Sequence, residues 1–187
     1  MTETVCESLN GVDVNALLDA REALEKAPEG AAFCWRAKSA WVDGTHTEAS
    51  VHGFFGLGEE HQHVREFSYD TDHPEIFAAE DKGPTPVEMV LVGLSGCLTG
   101  GVASVASRRN IQLRSVKATL EARMDIQGIL GIDPDIRNGF EDVRVHFDID
   151  ADASKEDIEA IVAQSQKRSA VYDILVNPTN VSVRVSS

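Results

Sequence analysis

Cys97 is the residue of this sequence with the most distinctive chemistry, because a cysteine thiolate is a nucleophile that also reacts with oxidants. It lies in a stretch, residues 84–106, that carries no charge after Glu88. A reactive cysteine needs a pKa lowered by a helix N-terminus or by cationic neighbours, together with some exposure. Cys97 lies about three turns inside the helix expected here, where the dipole of that helix has faded. The residues by themselves leave two interpretations open, a reactive thiol and a packed core thiol.

The element that must position Cys97 is a long apolar helix. Two prolines flank Thr85, a candidate N-cap, and Glu88 follows three residues later at the spacing of a capping box. Capping is therefore the simplest role for Glu88. Each glycine inside a helix costs about 1 kcal/mol relative to alanine. The glycines around the thiol thus predict that another helix approaches closely; they are Gly93, Gly96, Gly100 and Gly101.

The rest of the chain combines short strands with two further helical segments. An amphipathic helix is expected within residues 1–30, and another begins at Ser154 and runs toward Arg168. Alternating apolar residues predict strands, and Asp43-Gly44 predicts a hairpin turn. The predicted strands are residues 31–42, 45–54, 61–69, 113–125, 143–149 and 181–185, with a loop or short helix at 126–139 and a short turn at 170–175. Without a repeated βαβ pattern, these elements predict an α+β fold with antiparallel sheets around the central helix.

The composition predicts a soluble cytoplasmic protein. The 31 acidic and 17 basic residues give a formal net charge of −14, which argues against nucleic acid and anionic membranes as partners. The first residues lack the basic and apolar regions of a secretory signal. The central helix is long enough to raise the question of a membrane span, but its small residues and polar flanks favour a buried core helix. Three cysteines, Cys6, Cys34 and Cys97, show no paired spacing and are expected to be free thiols.

No pattern in the sequence predicts a metal or cofactor site. His61 and His63 share one face of a predicted strand, but no third ligand follows at a suggestive spacing. Solvated histidines explain the pair. The glycine-rich residues 53–58 fit a turn rather than a phosphate loop. We therefore expect neither a metal nor a cofactor.

Gly83, Pro86 and Glu88, followed by an apolar run to a cysteine nine residues after the glutamate, resemble the signature of the OsmC family, which includes organic hydroperoxide resistance proteins. The resemblance extends over about residues 35–185. It implies an intertwined homodimer with two sites at the subunit interface and with the central helices packed together. It also places Cys97 at the family's peroxidatic position, where a thiolate attacks a hydroperoxide to give a sulfenic acid and an alcohol.

The sequence departs from the family pattern at the second cysteine. Residues 168–175 lie where family members carry that cysteine or a serine, and here the residue is Ser169. A serine can donate a hydrogen bond to a thiolate but cannot form the disulfide that resolves a sulfenic acid. Turnover is therefore expected to need an external thiol reductant, or Cys34 or Cys6 brought close by the fold.

Two further positions of the peroxidase branch also differ. That branch carries a carboxylate ten residues before the cysteine, where this chain has Val87, and Glu88 is offset from that position by about 100° around a helix. The branch also carries an arginine in the first hairpin turn, and residues 43–46 contain none. Arg36 or Arg65 is the candidate substitute, although both also fit as surface residues of strands.

Two functions are consistent with these residues. The first is a thiol-dependent reductase of small hydroperoxides in oxidative-stress defence, with candidate catalytic residues Cys97, Glu88, Ser169 and Arg36. The second is a non-catalytic OsmC-like dimer that binds a small apolar ligand in a pocket lined by Trp41, Phe54, Phe55 and Tyr172. In either case residues 1–30 are expected to form a helical extension and residues 31–187 the OsmC-like domain.

Overall fold

A computed structural model describes residues 8–186 of the chain. The contacts group these residues into two units, residues 13–90 and residues 8–12 with 91–186. Helices and antiparallel strands are mixed along the chain, which confirms the predicted α+β fold. The predicted division at residue 30 stays a prediction, and the part of the N-terminal helix expected before residue 8 lies outside the described residues.

The unit of residues 13–90 contains one helix and a three-stranded antiparallel sheet. Helix α1 (Val14–Lys26) is capped by Asp13, whose carboxylate accepts a hydrogen bond from the backbone of Ala16 at 2.9 Å. Strands β1 (Lys38–Asp43), β2 (His46–Gly56) and β3 (Glu59–Thr71) pair in chain order. The strand predicted at residues 31–42 is shorter in the structure. Its first part forms a 3-10 turn at Pro28–Ala31 and then a single bridge between Cys34 and Phe55.

Aromatic rings cover one end of this sheet. The ring centroids of Trp35 and Phe54 lie 5.0 Å apart, and those of Phe54 and His61 lie 5.3 Å apart. Phe33 lies over Gly56, where a Cβ would come within 2.2 Å of the phenyl ring, so only glycine fits beneath it. Trp35 is 67% exposed and stays open to solvent in the single chain.

A buried carboxylate organises the loop between β3 and the central helix. Asp72 accepts hydrogen bonds from Thr45 Oγ1 at 2.7 Å and from the backbone N–H groups of His73 and Lys82 at 2.8 and 3.2 Å. The bond from Thr45 contributes most to holding the pKa of Asp72 well below its usual range. Burial opposes this effect, and the backbone bonds support it. The Asp72 side chain thereby holds the start of the loop at His73 and its later part at Lys82.

Helix α2 (Pro86–Arg108) is the longest element, with 23 residues, and it contains Cys97. By length and composition alone it could cross a membrane, and 28% of its most apolar window is buried within the chain. Gly101 approaches Ser165 so closely that a Cβ on the glycine would lie 2.2 Å from the serine Oγ, which is the close helix approach that the glycines predicted. Among residues 8–186, and apart from the adjacent residues and nearby backbone of α2 itself, no atom lies within 4 Å of a Cβ placed at Gly93, Gly96 or Gly100.

In the unit that contains residues 91–186, helices pack on a two-stranded antiparallel sheet. The sheet consists of β4 (Leu113–Arg123) and β5 (Asp142–Ala151), joined by a loop of turns at the predicted position. Helix α3 (Lys155–Arg168) begins after the predicted N-cap Ser154. The buried core joins α2 to α3 and consists of Val102, Val105, Ala106 and Ile161, with Phe147 and Ile149 of β5 packed against it.

Asn10 ties the start of the described chain to this unit. Its side-chain amide donates to Ser107 Oγ at 3.2 Å and to the carbonyl of Ile111 at 2.9 Å. Its oxygen accepts from the Gln112 side chain at 2.9 Å and from the backbone of Leu113 at 2.8 Å. All four hydrogen-bonding positions of the amide are therefore used.

Two predictions for the C-terminal region are wrong. Residues 170–175, predicted as a turn, lie in helix α4 (Ala170–Val176), because Ser169 acts as its N-cap. Residues 181–185 form no strand, and Val181, Val183 and Val185 are 82%, 88% and 93% exposed. The alternating pattern was correct for a strand, but no strand within residues 8–186 lies beside this segment to form a ladder with it.

Candidate thiol site

Cys97 and Ser169 are in contact in the structure. Ser169 Oγ donates a hydrogen bond to Cys97 Sγ at 3.0 Å across a separation of 72 residues. The serine is buried, whereas the thiol is partly exposed and forms no disulfide. The fold therefore brings together two of the four candidate catalytic residues, whose catalytic role stays a prediction.

The N-terminus of α4 positions the serine. Ser169 Oγ accepts the N-cap hydrogen bond from the backbone N–H of Tyr172 at 3.1 Å. Because the oxygen accepts this bond, the single hydroxyl hydrogen remains available to donate to the sulfur. The backbone N–H groups of Val171 and Ala170, the first two residues of α4, also act to lower the pKa of Cys97.

Burial and hydrogen bonding act in opposite directions on Cys97. Burial is the largest single effect and raises the pKa of the thiol, since a low-dielectric environment disfavours the charged form. The hydrogen bond from Ser169 and the backbone N–H groups of Val171 and Ala170 together exceed this effect, and the net pKa of Cys97 lies below its ordinary value. The N-terminus of α4 thus lowers the pKa of Cys97, which α2 cannot do because Cys97 lies deep inside that helix.

Glu88 forms the capping box that its spacing predicts. Its carboxylate accepts from the backbone N–H and the hydroxyl of Thr85, both at 2.8 Å, and Thr85 Oγ1 accepts from the backbone of Glu88 at 3.3 Å. The backbone bond from Thr85 is the main cause of a lowered pKa at Glu88, with the hydroxyl bond adding to it and burial opposing it. Glu88 therefore has a structural role at the helix start, and a catalytic role for it stays a prediction.

Arg36 is held by a carboxylate of its own sheet. Its two terminal nitrogens lie 2.6 and 2.8 Å from the carboxylate oxygens of Glu60, and this bidentate pair raises the pKa of Arg36. The alternative candidate, Arg65, lies over the ring of Phe67 at 5.0 Å from its centroid. Contact of either guanidinium with the Cys97 thiolate stays a prediction.

The histidine pair has other partners. His61 Nε2 lies 2.9 Å from the carbonyl oxygen of Gly56, and both His61 and His63 pack against Phe54. Among residues 8–186 there is no group of three or more His, Cys, Asp or Glu side chains that could hold a metal ion.

An apolar cavity lies beside the thiol site. It measures about 320 Å³ and is lined by residues of α2, α3, α4 and β5. Leu98, the neighbour of Cys97, and Tyr172, which donates to Ser169, both line it; the other lining residues are Val143, Val145, Phe147, Val162 and Gln166. Of the four predicted pocket residues, Tyr172 lines this cavity, while Trp41, Phe54 and Phe55 belong to the unit of residues 13–90.

The sequence analysis missed the backbone donors of Ala170 and Val171. A signal for them was present, because a serine followed by the apolar run 170–176 is typical of a helix N-terminus. A helix there would have placed free N–H groups directly after Ser169.

Comparison with known proteins identifies the family. A family model described as OsmC-like protein matches residues 79–184, more than half of the chain. The chain therefore belongs to the OsmC-like protein family. A comparison with curated protein sequences found no match.

Solved structures of several bacterial proteins share the fold. An OsmC-like protein from Mycoplasma pneumoniae superposes with a TM-score of 0.58 at 16% identity, covering 77% of this chain and 88% of that chain. The organic hydroperoxide resistance protein OsmC from Legionella pneumophila superposes with a TM-score of 0.53 at 20% identity, covering 75% of this chain and 88% of that chain. An osmotic stress induced and detoxification response protein from Psychrobacter arcticus superposes with a TM-score of 0.55 at 15% identity, covering 76% of this chain and 88% of that chain. At these identities the similarity establishes the fold.

Proposed function

We propose that this protein is a thiol-dependent hydroperoxide reductase in oxidative-stress defence, with Cys97 as the attacking thiolate. The observation that carries the proposal is the hydrogen bond from the Ser169 hydroxyl to the partly exposed Cys97 Sγ at 3.0 Å. The first backbone N–H groups of α4 also lower the pKa of this thiol. Membership of the OsmC-like family supports this function, since the Legionella relative is described as an organic hydroperoxide resistance protein.

The proposed reaction has two half-reactions. In the first, Cys97 thiolate attacks the terminal oxygen of a hydroperoxide, the O–O bond breaks, and a proton converts the leaving alkoxide into an alcohol. Cys97 becomes a sulfenic acid. In the second, an external thiol attacks the sulfenic sulfur and releases water, and another thiol reduces the resulting mixed disulfide.

The external thiol is needed because Ser169 occupies the position next to the sulfur. Its hydroxyl can donate to the thiolate and then to the sulfenate oxygen, but it cannot act as the resolving thiol. We therefore expect the oxidised protein to accumulate the sulfenic acid when no thiol is supplied. Cys34, which is an exposed free thiol, serves as an internal comparison for Cys97.

The experiment is a trapping reaction. The protein is treated with one equivalent of cumene hydroperoxide in the presence of dimedone, and the labelled peptides are located by mass spectrometry. We expect labelling at Cys97, loss of labelling in Cys97→Ser, and unchanged labelling in Cys34→Ser. Ser169→Ala should react more slowly near neutral pH, because losing one donor raises the pKa of Cys97 and reduces the thiolate fraction. Labelling of Cys97 no faster than that of Cys34 would contradict the proposal.

Glu88 and Arg36 are included as proposed contributors and can be tested by the same reaction. If Glu88 acts only as a cap, Glu88→Gln should lower stability and leave the rate of sulfenate formation unchanged. If Arg36 stabilises the thiolate, Arg36→Gln should slow the reaction, whereas the matched change Arg21→Gln on helix α1 should not.

We also propose that the protein acts in the cytoplasm as a homodimer with its sites at the interface. The exposed aromatic rings of the sheet and the exposed glycines of α2 support this, because exposed apolar surface of this kind usually marks an interface. Sedimentation analysis should give twice the chain mass for the wild type. Gly96→Lys should dissociate the dimer, and Ala163→Lys, on an exposed position of α3, should not. A monomeric wild type would refute the arrangement.

The cavity beside the thiol favours an alternative function, binding of a small apolar ligand without catalysis. Its lining is mostly aliphatic, with Gln166 and Tyr172 as polar groups. The uncharged dye N-phenyl-1-naphthylamine should then bind with enhanced fluorescence, and Val145→Trp, which fills the cavity, should abolish binding. Binding together with no sulfenate trapping would favour this alternative over the reductase.

A further inference from the structure

Three arginines converge on one small cavity at the ends of two helices. Arg108 is the last residue of α2, Arg109 follows it, and Arg168 is the last residue of α3. All three line a cavity of about 200 Å³, together with the buried Val105 and the side chain of Gln164. The cavity is therefore lined by one apolar residue, three arginines and one glutamine.

None of these three arginines has a carboxylate partner among residues 8–186, which is also true of Arg65, Arg137 and Arg184. Among residues 8–186, none of the three makes an ion pair or a side-chain hydrogen bond. In contrast, the arginines at positions 21, 36, 114, 123 and 144 all pair with carboxylates. The chain holds 31 acidic residues against 17 basic ones, so partners are abundant. Three like charges gathered without a counter-charge repel one another, and this arrangement needs a reason.

The dipoles of the two helices explain only part of the arrangement. A positive side chain in the last turn of a helix is favourable, and this accounts for one arginine at each helix end. It does not explain why arginines from both helices line the same cavity. An anion placed between them would remove the repulsion and would use the donors that the protein leaves free.

We propose that this cavity binds a small tetrahedral oxyanion, either free phosphate or the phosphoryl group of a small metabolite. Guanidinium groups present planar pairs of N–H donors that match the oxygens of phosphate, and the Gln164 amide offers a neutral donor. Pockets for drug-sized ligands usually measure about 300–1,000 Å³, so a volume of about 200 Å³ suits a small anion or one phosphoryl group. The site is distinct from the thiol, although Arg168 directly precedes Ser169 in the chain.

The test is a calorimetric titration of the full chain with inorganic phosphate at low ionic strength. Sodium chloride at matched ionic strength serves as the blank. We expect saturable binding with one anion per chain, and at least tenfold weaker binding in Arg109→Gln. Arg108→Gln should weaken binding to a similar extent, because it also leaves two guanidinium groups. Arg109→Lys should bind with intermediate affinity, because it keeps the charge without the paired donors. Arg21→Gln removes the same charge from helix α1 and should leave the affinity unchanged.

A titration with glycerol 3-phosphate distinguishes the two sources of the anion. Tighter binding of the ester indicates a phosphoryl-bearing metabolite, and equal or weaker binding indicates free phosphate. The proposal is overturned if phosphate gives no more heat than the chloride blank. It is also overturned if Arg21→Gln weakens binding as much as Arg109→Gln, because the binding would then follow total charge. Thermal unfolding of each variant without phosphate separates loss of the site from loss of the fold.

Discussion

Replacing Ser169 by cysteine should let the protein resolve its own sulfenic acid. The serine oxygen lies 3.0 Å from Cys97 Sγ, so a sulfur at that position can reach the peroxidatic sulfur. After the first half-reaction, the introduced thiol would attack the Cys97 sulfenic sulfur, release water and leave a disulfide between the two residues. The wild-type protein has only a hydroxyl there, so in the proposed reaction its sulfenic acid would persist until an external thiol reduces it.

The stability change can be estimated from the separation of the two residues. In the chain-entropy description, a disulfide that closes a loop of 72 residues stabilises the fold by about 4 kcal/mol at 25 °C. Loss of the serine N-cap of α4 costs about 1 kcal/mol. The oxidised variant should therefore be about 3 kcal/mol more stable than the wild type. For a chain of this length, that difference corresponds to a rise in Tm of roughly 6–12 °C.

The assay compares thiol content, dimedone labelling and Tm after one equivalent of cumene hydroperoxide. In Ser169→Cys we expect loss of two thiols, little dimedone label and a raised Tm that dithiothreitol reverses. Ser154→Cys is the matched control, because Ser154 caps α3 through an equivalent bond to Asp157 N at 3.1 Å but has no thiol partner among the described residues. Persistent dimedone labelling of Ser169→Cys, equal to that of the wild type, would refute the inferred geometry of the site.

Three further substitutions test the fold around the site. Asp72→Asn should lower the urea midpoint at about pH 7, and the difference from wild type should shrink at about pH 3. The folded pKa of Asp72 lies below its unfolded value of about 3.9, so its contribution is present above that pH and lost as the pH falls toward the folded pKa. Gly101→Ala should destabilise the protein by about 1 kcal/mol. The new Cβ displaces the Ser165 hydroxyl from its 2.7 Å hydrogen bond to the Leu98 carbonyl. The loss of this bond outweighs the higher helix propensity of alanine. In a Ser165→Ala background the same change should be neutral or stabilising. Asn10→Ala should cost about 2 kcal/mol in urea unfolding, because it leaves the partners of four hydrogen bonds unsatisfied; no loss would show that this anchor is formed only weakly in solution.

The elements with a strong local signal were predicted correctly from the sequence. Helix α2 could be predicted because its capping box, apolar run and basic end agree, and the structure places it at Pro86–Arg108. The hairpin could be predicted because Asp43-Gly44 supplies a glycine for the positive φ of a two-residue turn. In the structure Asp43 pairs with His46, the turn residues are Gly44 and Thr45, and Gly44 has a φ of 47°. In these cases the residues that determine the element lie within it.

The errors concern segments whose state depends on distant residues. Residues 181–185 have the alternation of a strand, but a strand also needs a neighbour, and local pattern contains no information about one. Residues 28–37 contain alternating aromatic residues, yet Gly30 and Cys34 make only isolated backbone contacts with Leu57 and Phe55. The role of Asn10 was equally inaccessible, because all its partners lie about a hundred positions away.

The lowered pKa of Cys97 depends on the same kind of long-range contact. Its own helix places the thiol too far from a helix N-terminus to lower its pKa, and burial acts against the thiolate. The donors come instead from α4, whose first residue follows the serine that caps it. One hydroxyl therefore performs two tasks: it accepts the bond that starts α4 and donates the bond that favours the thiolate. A cysteine at this position would retain the contact with Cys97 but weaken the cap. In the proposed reaction, the choice between serine and cysteine would determine whether the sulfenic acid is resolved within the chain or by an external thiol.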